Sequence, residues 1–150
     1  MTRTAMMRTF AAAAFVLATS AMAIADGVPT TVTYVPHEKA AETFVKGGQI
    51  IGDKGLVVLA NRRGAGEVEV HEKTNHLFII IEGEATFVTG GTLIEPRQTA
   101  PGQTRATNVQ GGTAYHLSKG DVITVPAKTP HWFKEVQTPT IAYYAINLEP

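Results

Sequence analysis

The sequence predicts an all-β sandwich or barrel with one early helix. Three observations carry that prediction. Short runs rich in Val, Ile, Thr and Phe recur from residue 55 to residue 147, each bounded by turn residues. The 14 Gly and 8 Pro suit a chain with many turns. Only one stretch has both the composition and the stop signal of a helix.

Taken in order, the first segment reads as an address. Arg3 and Arg8 precede an unbroken apolar run, residues 10–18 (FAAAAFVLA), and small residues follow in Ala21-Met22-Ala23 and Ala23-Ile24-Ala25. Basic, apolar, small is the order of a secretory signal peptide. The run is shorter than the ~20 apolar residues a bilayer span needs. No Arg-Arg pair precedes it, so the general secretory route is expected. Residues 1–25 are therefore predicted as signal and residues 26–150 as a single domain beginning at Asp26. The predicted destination is the bacterial periplasm or the medium, with no stable membrane anchor after cleavage.

Residues 30–35 (TTVTYV) alternate apolar and polar and predict a strand. Residues 37–46 (HEKAAETFVK) follow Pro36, contain good helix formers and end at Gly47-Gly48. Strands are predicted over residues 55–62, 67–71, 76–81, 85–89, 115–117, 122–125, 132–136 and 141–147. Residues 92–113 are polar, carry Pro96, Pro101 and Gly102, and predict a long loop or an irregular hairpin.

Composition excludes several functions. With 13 Lys+Arg against 13 Asp+Glu, the chain has no basic footprint for nucleic acid. Removal of Arg3 and Arg8 with the signal makes it slightly acidic. The chain has no cysteine, which excludes thiolate metal sites, iron–sulfur clusters and a cysteine nucleophile. Any metal ligands must be His and carboxylate.

The histidines point to such a site. In Glu67-Val68-Glu69-Val70-His71, strict alternation puts Glu67, Glu69 and His71 on one strand face. That face is turned either to water or to a polar cavity. His76 opens the apolar strand HLFIIIEG, and His131 follows the turn PAKTP. Neutral imidazoles with a carboxylate suit Zn, Cu, Mn, Fe or Ni.

These residues carry a resemblance. Glu69-x-His71-x4-His76-x6-Gly83, followed by Gly120-x5-Pro126-x4-His131, resembles the two motifs of the cupin superfamily, whose fold is a double-stranded β-helix, or jelly-roll barrel. GDVITVPAKTPHWF is the most specific part. The family's usual first His is replaced by Glu69 and its usual Glu by His76, so three His and one Glu remain. Lys128 stands where Gly is usual and Glu135 where Asn often lies. The spacing before Glu69 is one residue shorter if Gly64 is the motif glycine, and the segment between the motifs is long.

The resemblance implies a divalent transition metal held by Glu69, His71, His76 and His131. Glu69 has three readings: a ligand, a general base with a pKa raised by burial, or a solvated strand carboxylate. His37, in the helix, and His116, on a surface-type strand, are left out. Phe78, Phe87, Trp132 and Phe133 are core or pocket wall. One of Tyr143 and Tyr144 faces inward, and Tyr143 is taken as the pocket residue. Of the pair Arg62-Arg63, Arg62 is taken as the residue that reaches a pocket and holds an anion, against a solvated strand edge.

The expected function is a metal-dependent enzyme of oxygenase or lyase type acting on a small oxygenated molecule. The alternatives are a non-catalytic periplasmic protein binding a small molecule, and a metal-storage or structural protein. The resemblance, together with residues 30–35 as a strand covering a neighbour's edge, implies a homodimer.

Overall fold

The computed structural model describes residues 29–149. The predicted signal, residues 1–25, lies outside the described residues. The one helix, α1 (His37–Lys46), follows Pro36 and ends where Gly47 takes a positive φ of 70°. Its Ala40 is buried.

Strands β1 (Gly48–Asp53), β2 (Leu56–Arg63), β3 (Val68–His71), β4 (Asn75–Glu82) and β5 (Ala85–Thr89) come next. Four short strands follow: β6 (Thr92–Ile94), β7 (Arg97–Ala100), β8 (Gln103–Ala106) and β9 (Asn108–Gln110). The last four are β10 (Thr113–Leu117), β11 (Val122–Val125), β12 (His131–Val136) and β13 (Ile141–Leu148). The chain is thus mostly β, as the sequence predicts.

Two sheets face each other. One has the order β1-β2-β13-β4-β11 and the other β10-β5-β12-β3-β8-β7; β6 and β9 form a separate ribbon. Every pairing is antiparallel, and strands distant in sequence lie side by side, as a jelly roll requires. Their inward faces meet in one core built around Phe78, Ile80, Phe87, Phe133, Ile141 and Tyr143. Strand period two fixes what faces in. On β13, Tyr143 is buried in this core, while its neighbour Tyr144 turns outward and stacks on Phe44 of α1 at 4.8 Å.

Two segments depart from expectation. Residues 30–35 form no strand; Val32 and Tyr34 are exposed, and the segment is held by Thr30, whose N–H and hydroxyl donate to the Asp53 carboxylate at 2.6 and 3.0 Å. Strand β1, GQIIGD, was not anticipated, because its two apolar residues, Ile50 and Ile51, are adjacent and give no alternation. Of the two readings of residues 92–113, the irregular hairpin holds: β6 pairs with β9 and β7 with β8. Of these, β8 joins the main sheet beside β3.

Two backbone positions show why particular residues sit where they do. Gly83 has φ +89°, and a Cβ there would fall 2.4 Å from the Thr140 carbonyl oxygen, so only glycine fits. Lys128 has φ +66°, a left-handed conformation that favours glycine. Its N–H donates to the His71 carbonyl at 2.7 Å, tying the turn before His131 to the end of β3.

Candidate metal centre

The two sheets bring His71, His76 and His131 together from strands far apart in sequence. β12 lies between β3 and β5, with His131 directly opposite Glu69 on one side and Thr89 on the other. His76 comes from the facing sheet. Ring centroids are 4.9 Å apart for His71–His76, 5.0 Å for His76–His131 and 5.4 Å for His71–His131. One ring nitrogen from each lies within 4.8 Å of the others.

Each imidazole is tied back through Nδ1. His76 Nδ1 bonds Asn147 Oδ1 at 2.8 Å, His131 Nδ1 bonds the Thr129 carbonyl at 2.9 Å, and His71 Nδ1 bonds Gln103 Oε1. A carbonyl oxygen only accepts, so His131 carries its proton on Nδ1 and leaves Nε2 with a free lone pair. The amide oxygen of Asn147 sets the same arrangement at His76, while His71 has Gln103 Oε1 at Nδ1 and Glu69 Oε2 at 3.4 Å from Nε2. Nδ1 held by an acceptor with Nε2 free is how metal-binding histidines are oriented.

The donor set fits a metal. His76 Nε2 is buried and has no hydrogen-bond partner. A buried polar atom left unpaired is costly unless something occupies it. Burial lowers the pKa of His76, and burial takes His131 down to about 4, so these rings are neutral at neutral pH, as ligation requires.

Glu69 lies outside the three-nitrogen group. Its Oε1 accepts from Arg63 Nη1 at 3.1 Å and is ion-paired with Arg105 Nη1, and its Oε2 stands 3.4 Å from His71 Nε2. Burial alone would raise its pKa. The hydrogen bond with His71 and the charges of Arg105 and Arg63 outweigh burial and hold it far below the usual carboxylate range. The raised pKa expected of a general base is therefore reversed, because two guanidiniums were not anticipated beside it.

These groups line a cavity of about 220 Å³ with Asn61, Phe78, Tyr143 and Asn147 on its walls. Phe87 and Phe133 close its deep end with Phe78 and Tyr143, ring centroids 4.8–5.7 Å apart. The Tyr143 hydroxyl is buried, which raises its pKa. A larger groove of about 450 Å³ opens between the β10 and β11 edges, but Tyr115 is the one titratable residue on it.

Arg62 is corrected. It points to the outer face, where it donates to Glu82 Oε2 at 2.7 Å and to Thr140 Oγ1 at 3.1 Å. The cavity arginine is Arg63, which shares strand parity with Leu59 and Asn61. Sequence reasoning also missed Gln103, Arg105 and Asn147. All three follow from register: Glu69 pairs with Arg105, His71 with Gln103, and His76 with Asn147.

Comparison with solved structures shows the same fold. A Bacillus halodurans protein matches with a TM-score of 0.58 and 15% identity, over 81% of this chain and 84% of that one. The FeII form of HppE matches with a TM-score of 0.51 and 17% identity, over 68% of this chain and 50% of that one. Hydroxypropylphosphonic acid epoxidase from S. wedmorenis in complex with fosfomycin matches with a TM-score of 0.50 and 17% identity, over 71% and 53%. The chain thus spans about half the length of these last two. No protein of curated function matches the sequence. The cupin family model matches residues 41–150. With that match over most of its length and a jelly roll built around its motif histidines, the chain belongs to the cupin family.

Proposed function

We propose that the protein is a metal-dependent enzyme acting on a small oxygenated organic molecule, with one divalent transition metal held by His71, His76 and His131. The observation that carries this reading is the orphaned, buried Nε2 of His76 beside two further imidazole nitrogens. Three neutral ligands leave coordination positions open, as catalytic rather than structural sites do. The reading is supported by two structures of the same fold, one the FeII form of HppE and the other a hydroxypropylphosphonic acid epoxidase.

A divalent ion held by His71, His76 and His131 would supply Lewis-acid polarisation of a carbonyl or water oxygen. The protein's own part is orientation and exclusion of water. Asn147, Thr129 and Gln103 fix the three rings through Nδ1. The aromatic wall of Phe78, Phe87, Phe133 and Tyr143 keeps the deep end dry. Glu69, ionised and paired, holds Arg63 and Arg105 beside the cluster. Oxygenase-type and lyase-type reactions both use such a centre.

The test is metal content. Tag-free protein, stripped and titrated with Zn²⁺, Fe²⁺ or Mn²⁺, is expected to bind close to one equivalent. His131→Ala is expected to lose that binding while keeping its circular dichroism spectrum. Less than a tenth of an equivalent of every metal in the unaltered protein overturns the proposal. Unchanged binding in His131→Ala removes His131 from the site.

A further inference from the structure

We propose that the cavity selects a small organic anion of the carboxylate class, held by Arg63 and Arg105 beside the histidine cluster. This names the substrate class of the site proposed above and rests on that reading for its chemistry, though not for its charge.

The charges lining the cavity do not balance. Arg63 and Arg105 face it with a single carboxylate, Glu69, between them. Glu69 balances one guanidinium, and Glu67, the other carboxylate acting on Arg105, is itself paired with Arg97 at 2.5 Å, so one positive charge is left over. Three imidazoles bring no negative charge, so a divalent ion bound by them adds its full charge to the surplus. Positive charge in a cleft with low-dielectric walls concentrates anions.

Arg63 also meets the Tyr143 hydroxyl, which leaves other N–H groups of both guanidiniums available. Each guanidinium has five N–H groups in a planar fork matched to a carboxylate. Glu69 Oε1 takes one nitrogen, Nη1, from each arginine. The Glu69 carboxylate already demonstrates the geometry, because it joins the two guanidiniums on one oxygen and faces His71 Nε2 at 3.4 Å with the other. Both arginine side chains are about one-third exposed, at 35% and 33%, whereas Glu69 is 17% exposed. The positive groups therefore stand nearer solvent than the negative one. At about 220 Å³ the space is below the ~300 Å³ of the smallest drug-sized pockets. Phe78 and Tyr143 supply an apolar surface for the carbon part.

The test uses malonate and its neutral diamide, malonamide, titrated calorimetrically into metal-free and zinc-loaded protein. Malonate is expected to bind at least tenfold more tightly than malonamide in both forms. Arg105→Gln and Arg63→Gln are each expected to weaken malonate at least fivefold with zinc stoichiometry unchanged. Glu69→Gln, which adds to the surplus, is expected to tighten it. The opposite signs separate charge from unfolding, and thermal melts confirm that each variant folds. Equal affinity for malonate and malonamide, or no change in both arginine variants, overturns the anion proposal. Failure to bind zinc, iron and manganese alike overturns the metal reading alone, and the metal-free titration then decides the anion question by the same criteria.

Discussion

Asn147 lies directly across the antiparallel β13–β4 pair from His76, and its Oδ1 accepts the His76 Nδ1 proton at 2.8 Å. The ladder register thus fixes which nitrogen of His76 is free. Replacing Asn147 by Ala leaves Nδ1 without an acceptor and releases the ring. Zinc affinity, measured by chelator competition, is expected to fall about 10–100-fold, the usual loss for such a supporting residue. Unchanged affinity in Asn147→Ala would show that the ring is held by packing alone.

Acid should destabilise the metal-free protein in a defined window. Burial takes His131 from 6.5 to about 4 and also lowers His76. Between those values the unfolded chain binds more protons than the folded one, so stability is complete above about pH 6.5 and is lost as pH falls toward 4. His131 alone accounts for about 2–3 kcal/mol. Glu69, held low, contributes in the same direction only below the ordinary carboxylate range. Urea unfolding at pH 7, 5.5 and 4.5 measures the slope, and His131→Gln should remove most of it. A flat profile from pH 7 to 4.5 contradicts the burial argument.

Lys128 occupies a left-handed position, φ +66°, where glycine carries no Cβ penalty. Its side chain makes no hydrogen bond or ion pair among the described residues. Lys128→Gly is expected to stabilise the fold by about 0.5–1 kcal/mol, the αL penalty of roughly 1–2 kcal/mol less the entropy cost of glycine. The denaturant midpoint should rise with an unchanged m value. A lower midpoint would mean that the lysine contributes something the backbone argument omits.

Export is the fourth expectation. If residues 1–25 are a signal, N-terminal sequencing of protein recovered from a periplasmic extract should begin at Asp26. Recovery of chains starting at Met1 only, in the cytoplasmic fraction, would sink it.

Much of the fold was legible because β12, β13 and their partners are long or strongly apolar, and strand period two then assigns faces. The three histidines were legible because His71 closes an alternating strand, His76 and His131 open strands, and the motif spacing joins them. What failed was register. Arg105 and Gln103 lie on β8, whose QTRA has no apolar alternation, so the strand exists through its pairing with β3 rather than through its own composition. Arg62 was preferred to Arg63 because the predicted strand stopped one residue short. Parity counted from Asn61, which pairs with Tyr143, would have selected Arg63.

Strand β8 sits near the margin of its sheet, followed only by β7. The histidines depend on the interior pairs, β12 with β3 and β13 with β4. The two ends of the cavity are thus built from parts of different permanence. Apart from Gln103, which steadies His71, the marginal segment can lengthen, shorten or change its residues and so alter what is admitted, while the interior ladders keep the imidazoles in place. One barrel can in this way exchange one clientele for another without rebuilding its reactive centre.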